Sequence, residues 1–287
     1  MDLKNLYSQA KPVISFEVFP PKNDETGEKL EKLFCHLKIL KEKNPAFISL
    51  TYGAGGTGQN LSLEIFKRII NDLNIPVMPH FTCISSNKKF VEEYLNVINS
   101  LGIKNILALR GDIPENVDVT NLEFRYASEL VEFIKEKSNL SIAVAGYPEG
   151  HNESTSIDVD MQKLKLKVDK GADVIFTQMF FDNTKYYNFV ERAQKIGINI
   201  PIIPGILPVK SFSQLEKMLS MAKITVPKPF MEKLEKYKDD KDEIKKIGLD
   251  FAISQCQDLV NSNVKGLHFY TLNTSYMLKP ILDELNF

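Results

Sequence analysis

The stretch PVISFEVFPPK, residues 12 to 22, has the apolar density of a buried β-strand, yet it places the carboxylate of Glu17 between Phe16 and Val18. Strands that are apolar on nearly every residue are typical of parallel sheets whose faces are covered by helices. Counting VISFEVF (13–19), the chain holds eight such runs, and we predict that each forms a strand. The other seven are FISLTYG (47–53), VMPHFTC (77–83), NILALRG (105–111), SIAVAGY (141–147), DVIFTQMFF (173–181), PIIPGIL (201–207) and GLHFYTL (266–272).

Between these runs the apolar residues recur three and four positions apart, which is the spacing of an α-helix. Two clear cases are Leu30, Leu33, Phe34, Leu37 and Leu40, and Phe90, Val91, Tyr94, Leu95 and Ile98. Asn87 is a candidate helix N-cap, as is Asn183 or Thr184, while Gly102 and Gly171 are candidate C-terminal glycines. Eight strand–helix repeats in 287 residues predict an α/β fold, the (β/α)8 TIM barrel.

We expect residues 1–287 to form a single domain, because barrels of this class commonly reach about 250 residues. The segment 222–243, AKITVPKPFMEKLEKYKDDKDE, is longer than a simple connection and carries two prolines and dense charge. It is predicted to be an extra charged helical segment after the seventh strand, and not a domain boundary.

Composition narrows the class of partner. The net charge is −1 and lysines are interspersed with acids, which argues against nucleic acid and against a membrane surface as partners. No apolar run approaches the about 20 residues that cross a bilayer, and the first residues lack the apolar region of a signal peptide, so a cytoplasmic protein is expected. Cys35, Cys83 and Cys256 lie far apart without zinc spacing, so neither disulfides nor a metal site is predicted. A small molecule is the expected partner.

Glu17 is the first candidate for chemistry. Alternate residues of a barrel strand face the interior, so Ile14, Phe16 and Val18 are expected to face the helices, leaving Ser15 and Glu17 inside. A buried carboxylate without a cationic partner has a raised pKa, because desolvation disfavours its charged form. Glu17 would then hold a proton near neutral pH and act as a general acid. A glutamate on the solvent side of an open sheet, or one paired with a lysine, fits the strand alone equally well.

Other strand candidates also end in polar side chains. A lone buried histidine is usually a core residue and a lone aspartate after a strand is usually a helix cap, but six of the eight strands share this feature. Because active sites of barrels assemble at the carboxyl ends of the strands, these side chains are predicted to line one pocket. They are Thr51, His80, Arg110, Asp112, Gln178, His268, Tyr270 and Asn273, together with Glu17.

The loop GAGGTG (53–58) matches the glycine pattern of a dinucleotide-binding turn. However, the nearest acid at the expected distance, Asp72, lies before the next strand and not at its end, and a full strand–helix unit precedes the loop. We interpret the loop as permissive backbone that lets a cofactor approach closely. Phe212 follows the seventh strand and is either a helix-packing residue or an aromatic that stacks on a flat ring.

Eight motifs, taken in order, carry a resemblance to a known family. They are SFEVFPPK, SLTYGAGG, HFTC, LALRGDIP, GYPEGH, TQMFFD, PGILPV and HFYTLN. Together they resemble the methylenetetrahydrofolate reductases of the short bacterial type, flavin enzymes that make 5-methyltetrahydrofolate. The resemblance runs from residue 15 to residue 273 and implies a (β/α)8 catalytic barrel that carries FAD. It implies no regulatory domain that senses S-adenosylmethionine.

The resemblance implies a role for each matching residue. Glu17 would protonate N10 of methylenetetrahydrofolate and open its five-membered ring to a 5-iminium cation, which takes hydride from reduced flavin. Asp112 would lie near flavin and pterin and stabilise the cation. Gln178 would contact both substrates, Phe212 would stack on folate or nicotinamide in turn, and Tyr270 would line the substrate site.

FAD binding is assigned by the same resemblance, with Arg110 and Lys167 suited by charge to the diphosphate. The residues are Thr51, His80, Leu109, Arg110, Gly111, Asp112, Tyr126, Ala127, Ala145, His151, Asp160 and Lys167. The sequence departs from many relatives at Thr274, where they have an arginine that faces the glutamate tail of the substrate, and after His151, where they often have proline.

The resemblance implies ping-pong hydride transfer with NADH, or NADPH, as donor, and a homo-oligomer is expected. Some relatives take electrons from a partner subunit, and the sequence leaves that route open. Two other interpretations also stay open at this point. One is a different pterin-binding barrel such as a methyltransferase module, and the other is a folate-binding barrel without turnover.

Overall fold

The computed structural model describes residues 3–9, 11–22, 24–51, 59–84, 86–113 and 122–285, without the side chains of Lys4 and Gln59. Eight parallel strands form a closed barrel in chain order, with β1 paired to both β2 and β8. The predicted (β/α)8 barrel is therefore confirmed. The strands are β1 Val13–Val18, β2 Phe47–Leu50, β3 Val77–Thr82, β4 Asn105–Leu109, β5 Ser141–Gly146, β6 Val174–Met179, β7 Ile202–Ile206 and β8 Gly266–Tyr270.

Helices surround the barrel, most of them between successive strands. They are α1 Leu3–Leu6, α2 Glu28–Lys41, α3 Gln59–Leu73, α4 Lys88–Ser100, α5 Ala127–Lys137, α6 Ile157–Asp169, α7 Asn183–Lys195, α8 Phe212–Met221, α9 Lys228–Lys236, α10 Lys241–Asn261 and α11 Leu278–Glu284. The charged segment 222–243 holds α9 and the first residues of α10. No helix in the described ranges is both long enough and apolar enough to cross a bilayer.

The alternation of side chains in β1 matches the sequence prediction. Ile14, Phe16 and Val18 belong to the core between barrel and helices, whereas Ser15 is fully buried on the inner side. A second core fills the lower barrel, where Val13, Phe47 and Phe176 meet residues of the N-terminal segment. Helix α1 closes this end of the barrel, so the site is confined to the other end.

The helix signals are confirmed except at one N-cap. Asn87 accepts a hydrogen bond from the Phe90 amide at 2.8 Å, and Gly102 and Gly171 have the positive φ angles of C-terminal glycines. Helix α7 is capped by Asp182, which accepts from the Thr184 amide, and not by Asn183 or Thr184. The side chain of Asn183 instead donates to Asp258 of α10, and this hydrogen bond connects the two helices.

The connection between α8 and α9 is tied to the loop after β5 at the carboxyl end of the barrel. Glu149 accepts hydrogen bonds from both the amide and the hydroxyl of Thr225, and the Asn152 amide donates to the Met221 carbonyl. Beneath it, Gly248 of α10 lies so close to the Val209 carbonyl that a Cβ atom would stand 1.9 Å from its oxygen. Helices α8 to α10 are thereby fixed beside the mouth of the barrel.

Candidate active site

Glu17 lies at the carboxyl end of β1 and points into the barrel toward two histidines. Its Oε2 atom is 3.5 Å from Nε2 of His268 on β8 and 3.7 Å from Nε2 of His80 on β3. The β1–β8 register places Ser15 beside His268 and Glu17 beside Tyr270, so side chains of both strands share one face. The sequence prediction that Glu17 faces inward among polar side chains is met by this arrangement.

The protonation state of Glu17 corrects the sequence prediction. Burial acts to raise the pKa of the Glu17 carboxyl, but the imidazoles of His80 and His268 outweigh it, and the pKa lies below its ordinary value. The expected raised pKa is therefore wrong for the protein without ligand. Burial also lowers the pKa of His80 to about 4 despite the nearby carboxylate. At neutral pH Glu17 is ionised and His80 is neutral.

The backbone around Glu17 is held by the loop after β8. The amide and hydroxyl of Thr271 both donate to the Glu17 carbonyl, at 3.1 and 2.8 Å. The side-chain amide of Asn273 accepts from the Phe19 amide and donates to the Phe19 carbonyl. Leu272 and Asn273 both have positive φ angles, a strained conformation that the surrounding hydrogen bonds maintain.

A cavity of about 680 Å³ opens at the ends of the neighbouring strands β4 and β5. It combines apolar walls with several cationic side chains, and eight of the twelve residues predicted for FAD lie in its lining. These are Leu109, Arg110, Tyr126, Ala127, Ala145, His151, Asp160 and Lys167. The sequence prediction did not include the other lining residues, among them Ile84, Tyr147, Glu153, Lys163 and Leu166.

Arg110 is held in the cavity by an acid that the sequence prediction missed. Its Nη1 and Nη2 atoms donate to the two carboxylate oxygens of Glu153 at 2.5 and 2.7 Å, and its Nε donates to the Gly111 carbonyl. This hydrogen-bonded pairing with Glu153 raises the pKa of Arg110 and lowers that of Glu153. Gly111 is required at the turn, because its φ is 86° and a Cβ would stand 2.8 Å from Ile84.

Lys167 is the second cation of the cavity. Its Nζ donates to the Ala145 carbonyl at 2.6 Å, and burial lowers its pKa to about 8 against the opposing charge of Asp160. Asp160 in turn accepts from the Ser154 hydroxyl at 3.0 Å. A lysine that loses part of its charge through burial gains most from an anionic ligand.

A smaller cavity of about 180 Å³ adjoins the first, and Tyr147, His151 and Glu153 line both. Asp112 and Gln178 meet in it, and Asp112 is exposed at the mouth. Two of the predicted substrate or catalytic residues are therefore brought together next to the larger cavity.

Other predicted residues lie outside the linings of these two cavities. Thr51, His80 and Gly111 are close to the strand ends, and Tyr270 donates its hydroxyl to the Thr177 carbonyl. Phe212 begins α8 and packs on the cluster beneath α8 and α9. The predicted cofactor-contacting loop GAGGTG, residues 53–58, lies outside the described residues.

Thr274, which stands where many relatives have an arginine, has no positive charge to offer the glutamate tail of the substrate. Its hydroxyl donates to the Thr271 carbonyl at 3.1 Å and completes the turn after β8. Ser15 and His268 complete the surroundings of Glu17, as expected from the prediction that Ser15 faces the interior and that His268 lines the pocket. The alternation of β8 carries a signal for His268, since it lies two residues before Tyr270 on the same face.

Comparison with known proteins identifies relatives along nearly the whole chain. The family model described as methylenetetrahydrofolate reductase matches residues 2–286. The 5,10-methylenetetrahydrofolate reductase of Escherichia coli is 37% identical over 272 residues, covering 95% of this chain and 90% of that protein. Methylenetetrahydrofolate reductase 1 of Schizosaccharomyces pombe is 37% identical over 280 residues, covering 96% of this chain.

The chain spans about half the length of the eukaryotic relatives, 46% of the S. pombe protein and 50% of methylenetetrahydrofolate reductase (NADH) 1 of Arabidopsis thaliana. Among solved structures, an uncharacterized protein from Clostridium thermocellum that binds two copies of 5-methyl-5,6,7,8-tetrahydrofolic acid has a TM-score of 0.70. It is 13% identical and covers 99% of this chain and 97% of that chain, so the likeness supports the fold alone.

Proposed function

The chain belongs to the methylenetetrahydrofolate reductase family, and we propose that it reduces 5,10-methylenetetrahydrofolate to 5-methyltetrahydrofolate with bound FAD, taking electrons from NADH in a ping-pong cycle. The observation that carries this proposal is a cavity with apolar walls and cations at the ends of β4 and β5, in the same barrel that holds the ionisable Glu17 at the end of β1. An acid and a cofactor-sized cavity are the two parts that this reaction requires.

The residues of the larger cavity fit FAD. Ile113, Tyr126 and Leu166 are large apolar side chains that are 41 to 54% exposed, and all three line the cavity. Apolar side chains left open to water around one cavity indicate that a ligand covers them. Arg110 and Lys167 would hold the diphosphate, whose negative charge restores the full charge of Lys167. When bound, FAD supplies hydride transfer, from NADH in one half-reaction and to the folate methylene carbon in the other.

Glu17 would protonate N10 of the folate, so the N10–methylene bond breaks with its electron pair left on N10. The carboxyl group must gain a proton before this step, because it is ionised in the protein without ligand. The exposed carboxylate of Asp112 would stabilise the iminium cation that results. Gln178 shares the smaller cavity with Asp112 and would orient both substrates, with Phe212 and Tyr270 completing the substrate site.

The names of the plant relatives support NADH as the donor, since they specify NADH. This property is stated for those proteins and is proposed for this chain. Assembly as a homo-oligomer stays a prediction.

Anaerobic stopped flow tests the proposal. The purified protein, reconstituted with FAD, is expected to be reduced by NADH and then reoxidised by methylenetetrahydrofolate, with flavin absorbance as the signal. A folded protein that cannot be reconstituted with FAD would refute the flavin assignment. Loss of the NADH step alone would indicate a protein electron donor, and folate binding without reoxidation would indicate a folate-binding barrel.

A further inference from the structure

Two imidazoles from two strands face one carboxylate oxygen of a third strand. Oε2 of Glu17 faces Nε2 of His268 and Nε2 of His80 at 3.5 and 3.7 Å. Both imidazole nitrogens are buried, and within the described part of the chain neither has a hydrogen-bond partner. A buried polar atom without a partner destabilises the fold, so two of them aimed at the same oxygen indicate that a proton is shared there.

His268 is built to accept either protonation state. Its Nδ1 is 2.8 Å from the Ser15 hydroxyl, which can donate to a neutral imidazole or accept from an imidazolium. The ring is 1% exposed and lies 4.7 Å from the Phe176 ring and 6.2 Å from the Phe47 ring, centroid to centroid. His80, in contrast, is neutral near pH 7, because burial lowers its pKa to about 4.

We propose that His268 stores the proton that Glu17 donates to the substrate. In the free protein the proton is on Nε2 of His268, which forms an ion pair with ionised Glu17. When substrate fills the site, the Nε2–H bond breaks and an O–H bond forms on Glu17. Glu17 then passes this proton to N10 as the N10–methylene bond breaks. The step leaves a neutral His268 and a carboxylate, and solvent returns one proton after the product leaves.

Substrate binding itself would drive the first transfer. The ion pair and the neutral pair have the same net charge, but water stabilises the ion pair more strongly. A ligand that displaces water from the barrel mouth therefore shifts the proton from the imidazole to the carboxyl. This accounts for an acid that is ionised when the site is empty.

Other groups that face this cluster do not compete for the proton. Burial raises the pKa of Tyr270 on β8 and that of Tyr7 behind Ser15, so both phenols stay protonated. Among the described side chains that contact Glu17, His80 and His268 are the ones that could donate a proton to it. Because His80 is neutral, the proposal assigns the proton to His268.

The inference rests on the proposed function, and His268→Gln tests it. Glutamine keeps a neutral amide donor near the position of Nε2 but cannot hold the proton. Reduction of the flavin by NADH is expected to be unchanged, while reoxidation by methylenetetrahydrofolate at neutral pH slows about tenfold, within the range of general acid effects. The upper pH limit of this half-reaction is expected to move down, because removing one site that holds the proton weakens the affinity of the cluster for it.

His36→Gln is the matched control, because His36 forms a similar pair with Ser275 away from the site, at 3.0 Å from Nδ1 to the hydroxyl. It is expected to leave both half-reactions and their pH profiles unchanged. If the pH profile of flavin reoxidation in His268→Gln is the same as in wild type, the inference is overturned, whatever the rate of the variant. If the wild-type flavin is not reoxidised by methylenetetrahydrofolate, the proposed function fails instead.

Nitrogen NMR of the histidines tests the proton store without turnover. The chain has four histidines, and burial lowers the pKa of His36, His80 and His151. The free wild-type protein is therefore expected to show one imidazolium near neutral pH, and His268→Gln none. Adding 5-methyltetrahydrofolate should convert that imidazolium to the neutral ring. A neutral His268 in the free protein while Glu17 is ionised would contradict the proton store.

Discussion

The neutral state of His80 predicts a specific loss of stability in mild acid. Its pKa is lowered from 6.5 to about 4 in the folded protein, so below pH 6.5 the unfolded chain binds a proton that the folded chain does not. Stability therefore falls as the pH falls from 6.5 to about 4. Between pH 7.5 and 5 this one group contributes a loss of about 2 kcal/mol to the free energy of unfolding.

Urea unfolding of wild type and His80→Gln at the two pH values measures this contribution. Because glutamine does not titrate, the variant should lose about 2 kcal/mol less than wild type over the same interval. The comparison uses the difference between pH values, so a change in overall stability caused by the substitution cancels. His36→Gln is a control with a smaller expected effect, since His36 is only partly buried. Equal losses in wild type and His80→Gln would refute a neutral, buried His80.

Three further predictions concern the acid and the proposed cofactor cavity. In Glu17→Gln, NADH should still reduce the flavin while folate reduction falls by about 10²- to 10⁴-fold, and equal loss in both half-reactions would contradict the acid assignment. In Glu153→Gln, FAD binding measured by fluorescence quenching should be about fivefold tighter. In wild type, Glu153 competes with the diphosphate for the half-exposed Arg110, and the ion pair lost on binding contributes about 1 kcal/mol. Weaker binding in the variant would show that Glu153 positions Arg110 for FAD. Wild-type FAD affinity should fall as the pH rises above about 8, where Lys167 loses its charge, and a Lys167→Met variant that keeps this fall would exclude Lys167 as its cause.

The strand pattern of the fold could be predicted because it is local. Apolar runs such as those of β1 and β8 are complete within a few residues, and the alternation of Ser15 and Glu17 follows from strand geometry alone. The predicted N-cap of α7 was wrong because three neighbouring polar residues can each cap a helix. Asp182 is the cap in the structure, where Asn183 is instead bonded to Asp258 of α10, and this distant contact cannot be read from the local sequence.

The candidate site could be predicted where it follows a motif and not where it depends on contacts between distant strands. Arg110 belongs to the motif LALRGDIP, and the structure places it in one cavity with Lys167, which was also predicted for FAD. Glu153 was missed because nothing in its own stretch shows that it meets Arg110, 43 residues away. The predicted rise in the pKa of Glu17 was wrong for the same reason, because only closure of the barrel brings His268 beside Glu17.

The short helix α1 closes the lower end of the barrel, opposite the end that carries the candidate site. Leu3 and Tyr7 are almost fully buried under the lower barrel, and Tyr7 packs so closely that a Cβ on Gly266 would stand 2.9 Å from its ring. Trimming the chain to begin at β1 would uncover Val13 and Phe47 and let bulk water enter from below toward Ser15. The barrel therefore depends on this N-terminal helix to keep water out of its interior at the end opposite the site.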